Sequence, residues 1–389
     1  MKPLTTYQIC TRCVMDTSDL EITFNKKGVC NHCDDYDILK KKFTFKDNTD
    51  RIGEFLYHSA GSAKEVNNLI NMIKIAGKNK PYDCVIGMSG GIDSSYVAYK
   101  AIEFGLRPIA FHIDNEWDSQ IAIDNLSKLT TKLNIPITNI KVEWEEFKDL
   151  QLSFLKSSTP DVEVPTDHAV IAVPYKFARE HKVNYIITGY NYRTETHIPR
   201  SWSSPGQPDW VYISKMHKKF GAVPLTTFAY ITPIQYVLQT LYSPIKKIDL
   251  LNYLDYNKQE AYKLLHDKFQ YNYYGAKHWE SLYTRFLQTY ILPRKFGYDK
   301  RKSHLSSLIC SGFMTREDAL KELATPPLSP EELERDKQYF IQKFGITEEY
   351  FEELMNLPQK TYWDYPHSNF FDSKIIKFVA KNILKKRGL

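Results

Sequence analysis

The chain has 389 residues, of which 42% are hydrophobic and 25% are charged, and its formal net charge is +6. This length is sufficient for two or more domains, and the composition is typical of a folded globular protein and not of a disordered one. No apolar run is long enough to cross a membrane and no secretion leader is evident, so we expect a cytoplasmic protein that binds no membrane. The modest, dispersed positive charge favours small anionic substrates and gives little support for binding of nucleic acid.

Two Cys-x-x-Cys pairs lie near the amino terminus, Cys10 with Cys13 and Cys30 with Cys33. Four cysteines at this spacing are typical of a tetrahedral zinc site, and because no position remains open for water we predict a structural ion. An iron–sulfur cluster is the competing interpretation, since four thiolates suit either. The stretch Glu21–Val29 between the pairs predicts a β-hairpin, so residues 1–45 are predicted to form a zinc-ribbon-like module.

Residues 46–81 are predicted to be a helical connector. Apolar residues recur there at helical spacing, and a glycine-to-proline stop follows them at 77–81. The recurring residues are Val66, Leu69, Ile70 and Ile73.

A phosphate-binding loop is predicted between a short apolar run at 84–88 and a helical pattern that begins near residue 93. The string between them contains Ser89, Gly90, Gly91, Asp93, Ser94 and Ser95. Two glycines allow close approach of backbone N–H groups, the helix N-terminus attracts an anion, and Asp93 is a candidate Mg²⁺ ligand. An ordinary glycine turn is the alternative interpretation. The string resembles the PP-loop of the ATP pyrophosphatases, which split ATP into AMP and pyrophosphate. It is not a Walker loop, because no Gly-Lys-Ser/Thr follows.

Strand-like and helix-like segments alternate from residue 82 to about residue 200. Strands are predicted at 107–115, 138–142 and 183–191, and helices at 93–103, 119–133, 144–155 and 167–181. This alternation predicts an α/β fold with a doubly wound parallel sheet, similar to a Rossmann fold. We therefore predict that residues 82–200 form the ATP-binding domain, with the ligand beyond the carboxyl ends of the strands.

Three loops at those strand ends are expected to converge on one pocket: 89–95, 114–116 and 188–195. The third loop carries Gly189, Asn191 and Glu195 and resembles the PP-loop family's loop that closes over the nucleotide. We predict that Asp114 binds ribose or adenine. We also predict that Glu195 shares magnesium with Asp93.

Residues 201–389 are predicted to be a mostly helical region that binds substrate or partners. A basic triplet ending at Lys302 opens one helix there and is a candidate to reach pyrophosphate, although a solvated face is an equally good interpretation. Four histidines are candidates by type for a general base, and His168 is expected nearest the pocket. The four are His112, His168, His197 and His278.

The chain as a whole resembles the N-acetyl sugar amidotransferases of the WbpG and PseA type, which act in bacterial surface-glycan and flagellin-glycan synthesis. The resemblance lies in the cysteine pairs, the PP-loop, the Thr188–Asn191 motif and the stretch Arg294–Asp299. It implies that ATP adenylates the amide oxygen of an N-acetyl group on a UDP- or CMP-linked sugar. Ammonia then displaces AMP and leaves an acetamidino group.

The ammonia is expected to come from outside the chain, because no cysteine lies in a glutaminase motif. The resemblance implies a glutaminase similar to HisH as the partner, with a HisF-like ammonia-channelling barrel. ATP, Mg²⁺ and structural Zn²⁺ are the implied cofactors. A PP-loop enzyme that thiolates tRNA and a non-enzymatic zinc-ribbon adaptor that binds nucleotide are the two alternatives.

Overall fold

The computed structural model describes residues 6–44, 63–160, 162–202 and 205–368. Residues 1–5 and 45 of the predicted cysteine module, residues 46–62 of the predicted connector and residues 369–389 of the predicted carboxy-terminal region lie outside this part. Within these ranges, helices that combine the length and the apolar character needed to cross a bilayer are absent.

Five strands form the central sheet: β1 (Cys84–Gly87), β2 (Pro108–Asp114), β3 (Ile137–Lys141), β4 (Tyr185–Thr188) and β5 (Lys246–Asp249). All neighbours pair in parallel, in the order β3-β2-β1-β4-β5. The strand order reverses between β1 and β4, so the loops that follow these two strands open onto one crevice. The predicted α/β, doubly wound parallel sheet is confirmed.

Fourteen α-helices are present in the described residues. The first six are α1 (Asn31–Thr44), α2 (Ala63–Gly77), α3 (Ile92–Glu103), α4 (Gln120–Leu133), α5 (Trp144–Ser157) and α6 (Val164–Glu180). The next five are α7 (Trp210–Phe220), α8 (Pro233–Tyr242), α9 (Lys258–Phe269), α10 (Leu282–Phe286) and α11 (Arg301–Ser311), with a π-helical segment, Leu287–Phe296, after α10. The last three are α12 (Arg316–Ala324), α13 (Pro330–Phe344) and α14 (Glu348–Asn356). Helices α2 to α6 lie where the periodicity predicts them.

Strand β1 is buried on both faces of the sheet, because its successive side chains point in opposite directions and helices cover each face there. Val85 of β1 packs with Val173 and Phe177 of α6. The next residue, Ile86, belongs to a different cluster that includes Val97 of α3 and Leu265 of α9. Strand and helix are thus held together directly beneath the loop that joins β1 to α3.

Two features of the fold differ from the sequence-based expectations. Strand β5 lies in the region that was predicted to be mostly helical, and it extends the sheet beyond residue 200. The hairpin predicted at Glu21–Val29 is reduced to one bridge between Phe24 and Cys30. Its turn is nevertheless present, because the Gly28 amide donates to the carbonyl oxygen of Asn25.

The amino-terminal cysteine module packs against the carboxy-terminal helices and shares one large hydrophobic core with them. The Val14 amide donates to Ser306 Oγ on α11. The guanidinium of Arg316 on α12 donates to the carbonyl oxygens of Cys10 and Cys13. The segment Cys10–Val14, which carries the first cysteine pair, therefore fixes the module to the helical region.

Candidate active site

The loop between β1 and α3 has the backbone of an anion-binding site. Gly90 has a φ of +77°, and a Cβ at this position would lie 2.4 Å from the carbonyl oxygen of Ala122, so only glycine fits. Gly91 caps α3 without a side-chain hydrogen bond to the first turn. Ser89 Oγ accepts from the Gly91 amide at 3.3 Å and lies 3.4 Å from Ser94 Oγ. The helix N-terminus and two hydroxyl groups are thus directed at the same small volume.

The loop after β4 lies directly against this helix start. A Cβ on Gly189 would lie 2.9 Å from the carbonyl carbon of Asp93 and 3.0 Å from the amide nitrogen of Ser94. Asn191 is fully buried and closes the loop, because its Oδ1 accepts from both the amide and the hydroxyl of Thr194. The first and third predicted loops are therefore in contact, and the Asn191 side chain stabilises the third loop, to which it belongs.

A lysine from the carboxy-terminal region joins the two predicted acidic residues. Lys277 Nζ lies 3.3 Å from Asp93 Oδ2 and 2.8 Å from Glu195 Oε1. Burial opposes ionisation of Asp93, but the positive charges of Lys277 and Lys258 outweigh it and lower the pKa of this carboxyl. Burial likewise opposes the charge of Lys277. The negative charges of Glu195 and Asp93 have the larger effect and raise the pKa of this lysine. Tyr256 donates its hydroxyl hydrogen to Asp93 Oδ1. Asp93 and Lys277 therefore form a charged pair.

A third carboxylate, Glu280, approaches the loop from the same segment as Lys277. Its Oε1 accepts from Ser89 Oγ at 3.4 Å, whereas its Oε2 is buried and has no hydrogen-bond partner in the described structure. His278 adopts a φ of +66° and lies between two acids, with one ring nitrogen 3.8 Å from Glu195 and the other 3.8 Å from Glu280. A non-glycine residue in this backbone region is uncommon and is found preferentially at functional sites.

Basic groups surround the acidic network. Burial, followed by the charge of Lys277, lowers the pKa of Lys258. Burial and the nearby charges of His278, Lys277 and Lys300 lower the pKa of His304 well below its usual value, so this imidazole is neutral. Its ring lies 5.7 Å from that of His278. The crevice thus holds two buried lysines beside three carboxylates, and these lysines are the cationic groups that a polyphosphate site requires.

Two residues predicted to be catalytic are engaged elsewhere. His168 donates through Nδ1 to the carbonyl oxygen of Gln207 and accepts through Nε2 from the Ile231 amide. Burial lowers its pKa to about 4, so it is a neutral residue of the core without a free nitrogen. Lys302 donates to Asp16 of the cysteine module. Neither side chain contacts Asp93 or Glu195 in the described structure.

The remaining predicted residues support the loops. Asp114 accepts from the amide of Glu116 at 3.2 Å, so its carboxylate closes the turn after β2. Ser95 is fully buried in the first turn of α3. His112 donates through Nδ1 to the carbonyl oxygen of Met88, directly before the phosphate-binding loop, and its Nε2 lies 2.9 Å from Asp118.

Sequence reasoning missed the groups that reach the crevice from far along the chain. They are Tyr256, Lys258, Lys277, Glu280 and His304. The segment around Lys277 and Glu280 combines aromatic, basic and acidic residues, but the sequence alone gave no position for it in space.

The four amino-terminal cysteines converge on a single point. The Sγ–Sγ distances are 3.9 Å for Cys10 and Cys33, 3.6 Å for Cys13 and Cys30, and 3.8 Å for Cys30 and Cys33. A tetrahedron of sulfurs each about 2.3 Å from one ion has edges of about 3.8 Å. The donor set therefore fits one tetrahedral ion. Thiolates that bind four separate irons must lie farther apart.

The comparisons with known proteins agree with the sequence-based resemblance in one region. Residues 280–381 match the family model for the C-terminal domain of WbpG-like LPS biosynthesis proteins. No curated protein matches the chain. The predicted resemblance to WbpG-type proteins is thus confirmed for the part of the chain that carries Glu280 and α11.

Among the solved structures similar to the chain are two synthetases and a thiolase. The NMN synthetase from Francisella tularensis is 20% identical and covers 50% of this chain and 75% of its own, with a TM-score of 0.28. The NH3-dependent NAD synthetase from Campylobacter jejuni is 17% identical and covers 54% of this chain and 94% of its own, with a TM-score of 0.28. The U34-tRNA thiolase NcsA from Methanococcus maripaludis, with its [4Fe-4S] cluster, is 13% identical and covers 82% of this chain and 89% of its own, with a TM-score of 0.30. These TM-scores are low, so the fold assignment rests on the strand order and the loops.

Proposed function

We propose, from the match of residues 280–381 to the WbpG-like C-terminal domain model, that the protein is an ATP-dependent amidotransferase acting on a nucleotide-linked N-acetyl sugar. It converts the acetamido group to an acetamidino group and forms AMP and pyrophosphate. The observation that supports this proposal most is the meeting of a glycine-rich helix N-terminus with Lys258 and Lys277, which suits a triphosphate.

The proposed reaction has two steps. The amide oxygen of the N-acetyl group attacks the α-phosphorus of ATP, the bond to the bridging oxygen breaks, and pyrophosphate leaves. Ammonia then adds to the imidate carbon, the C–O bond breaks, and AMP leaves with the former amide oxygen. Because adenylation turns a poor leaving group into a good one, the chain has only to position the reactants and stabilise the negative charge of pyrophosphate.

Lys277 and Lys258 are the proposed partners of the pyrophosphate oxygens. Both ammonium groups lie in the crevice together with the acids that now neutralise them. A triphosphate carries more charge than these carboxylates, so it competes for the same lysines. The Gly90–Ser95 backbone provides the remaining donors.

Asp93 and Glu195 are the proposed Mg²⁺ ligands, because both carboxylates contact one cationic group and therefore face the same point. The buried Glu280 Oε2, which has no partner in the described structure, is a further oxygen donor beside them. When bound, Mg²⁺ would neutralise phosphate charge and favour departure of pyrophosphate.

The ammonia is proposed to come from a separate glutaminase similar to HisH, with a HisF-like barrel as the channelling partner. The chain's own six cysteines are all buried, and four of them form the amino-terminal cluster. Of the other two, Cys84 lies inside β1 and Cys310 lies beside that cluster. None is placed as an accessible glutaminase nucleophile.

The four-cysteine cluster is proposed to bind Zn²⁺ as a structural ion. The sulfur spacing fits a single tetrahedral centre, and the amides of Arg12, Cys13 and Cys30 all donate to Cys10 Sγ. Such N–H donors stabilise a thiolate ligand.

The test is a mass spectrum of the full chain incubated with ATP, Mg²⁺, ammonium chloride and a panel of UDP- and CMP-linked N-acetyl sugars, with AMP measured in parallel. We expect AMP with one sugar, whose acetyl oxygen has been replaced by NH, and no product when glutamine replaces ammonium. The variant Asp93→Asn should abolish AMP formation. Absence of AMP with every sugar, together with AMP formed in the presence of tRNA and a sulfur donor, would refute the proposal.

A further inference from the structure

We propose that the chain binds a second metal ion between Cys33, His197 and Cys310, next to the four-cysteine ion and sharing Cys33 with it. This site goes beyond the proposed amidotransferase activity and does not depend on it. The three side chains come from the cysteine module, the loop after β4 and α11, and all three are buried.

Two of the three separations between the donor atoms match edges of a tetrahedron around one ion, and all three lie within 4.8 Å. Cys310 Sγ lies 3.8 Å from Cys33 Sγ and 3.5 Å from His197 Nε2. Bonds of about 2.3 Å to sulfur and about 2.0–2.1 Å to nitrogen predict separations of about 3.8 Å and about 3.5 Å, respectively. An exogenous ligand such as water would complete the fourth corner.

The hydrogen bonds around His197 turn the correct nitrogen towards this point. Ser307 Oγ donates to the carbonyl oxygen of Ser303, so its oxygen accepts from His197 Nδ1–H at 3.1 Å. Nε2 then carries the lone pair, and it is the nitrogen that faces Cys310. A histidine that binds a metal through one nitrogen and donates through the other is the usual arrangement in metal sites.

Sharing of Cys33 is chemically reasonable because a thiolate sulfur has more than one lone pair. Four thiolates around one dication leave an excess of negative charge in a fully buried place. A second dication, with Cys310 as its added thiolate and His197 neutral, reduces that excess. Thiolate and imidazole donors favour Zn²⁺ or a similar borderline-soft ion.

The second ion would connect the cysteine module to the proposed active site. His197 follows Glu195 by two residues, and Glu195 contacts Lys277 in the crevice. An ion bound to His197, Cys310 and Cys33 would therefore fix the end of the loop after β4 against α11. We infer that its role is to hold Glu195 in position.

The experiment measures metal per chain. The full chain is stripped of metal under reducing conditions, titrated with Co²⁺ or Zn²⁺, desalted and examined by elemental mass spectrometry. We expect two ions per wild-type chain, and one in the variants Cys310→Ala and His197→Asn. With Co²⁺, thiolate-to-cobalt absorption should rise over two equivalents in the wild type and over one in each variant.

The matched control is Cys84→Ala, which removes a buried thiol that lies outside the cluster in β1; it should retain two ions. One ion in the wild type at excess metal would overturn the proposal. Loss of both ions in the Cys310 and His197 variants would also overturn it, since these residues would then only support the four-cysteine site. Retention of two ions in both variants would exclude them as ligands.

Discussion

Lys277 is the residue on which the crevice depends most, because it neutralises Asp93 and Glu195 together. We predict that Lys277→Met lowers kcat/KM for ATP by about 10²- to 10³-fold, the usual effect of removing one donor to a developing negative charge. Steady-state AMP formation measures it. The matched control is Lys100→Met, which breaks an ion pair with Glu103 on the outer face of α3 and should change the rate by less than about twofold. Equal effects of the two substitutions would contradict the assignment.

The protonation of His112, whose ring contacts the residue before the phosphate-binding loop, makes the stability of the chain depend on pH. Burial opposes its protonation, but the Asp118 carboxylate outweighs this effect, and the pKa of His112 is raised. The charged pair therefore stabilises the fold fully below the unfolded value of about 6.5, and its contribution is lost as pH rises through the higher folded value. We predict that Asp118→Asn destabilises the chain more at about pH 6 than at about pH 9, as measured by urea unfolding. A cost that is independent of pH, or larger at alkaline pH, would contradict the prediction.

At the scale of single residues, the sequence predicted the groups that belong to local motifs. Asp93 and Glu195 occur at fixed positions relative to a glycine loop and a strand end, and they do meet at one lysine. Lys277 lies more than a hundred residues from Asp93, so only the packing of the carboxy-terminal region reveals it. His168 was chosen for its residue type, but both of its nitrogens bind backbone groups.

Among the elements, the contact between the loop after β4 and α3 is the one that builds the crevice. We predict that Gly189→Ala lowers ATP affinity by at least about tenfold, because the added Cβ would overlap the backbone of Asp93 and Ser94. Such overpacking typically also costs about 1–3 kcal/mol of stability. Isothermal titration with ATP, beside urea unfolding, separates the two effects.

The control for this substitution is Gly221→Ala, which introduces an even closer contact at the end of α7, where a Cβ would lie 2.5 Å from the His217 ring. It should reduce stability and leave ATP affinity unchanged. If both variants lost affinity in proportion to their stability, the contact at Gly189 would have no specific role.

The elements that sequence reasoning found and missed differ in how much apolar surface they bury. Helices α3 to α6 and strands β1, β2 and β4 each bury several apolar residues, and all were predicted. Strand β3 was also predicted, although it buries none of its five residues. Strand β5 reads Lys246-Lys247-Ile248-Asp249 and buries only Ile248 in the described structure. A short polar strand at the sheet edge has no regular apolar pattern and is defined by its pairing with β4.

For the whole molecule, the sequence predicts a chain of successive modules, whereas the structure joins the first module to the last. Lys302 was expected to reach pyrophosphate, and instead its contact with Asp16 helps to fix the cysteine module to α11. Burial opposes the charge of Asp16, but Lys302 outweighs it, and the pKa of this carboxyl is lowered. The region matched by the WbpG-like family model thus supports the cysteine module and also contributes Glu280 to the crevice.

This arrangement predicts what removal of metal does to the whole chain. The four cysteines belong to the same core as Tyr192 and Trp202, so the loss of their ion should not remain local. Binding of structural zinc is worth on the order of 10 kcal/mol in small zinc domains, and here part of that energy would be lost from the shared core. We therefore predict that a chelator lowers Tm by at least several degrees and weakens ATP binding, because the amides of Thr196 and His197 donate to Ser307 on α11.

The measurement is calorimetric unfolding and ATP titration on the same sample before chelation, after it, and after Zn²⁺ is restored. Recovery of both properties on restoration separates loss of the ion from irreversible damage. The control is Cys13→Ser, which removes one ligand of the four-cysteine ion and none of the three groups around Cys310. It should reproduce the loss of Tm that belongs to the four-cysteine ion, and added zinc should not restore that part. If chelation lowered Tm while ATP affinity stayed unchanged, the cysteine module would stabilise the chain without supporting the loop that carries Glu195, and the coupling argued from the shared core would be wrong.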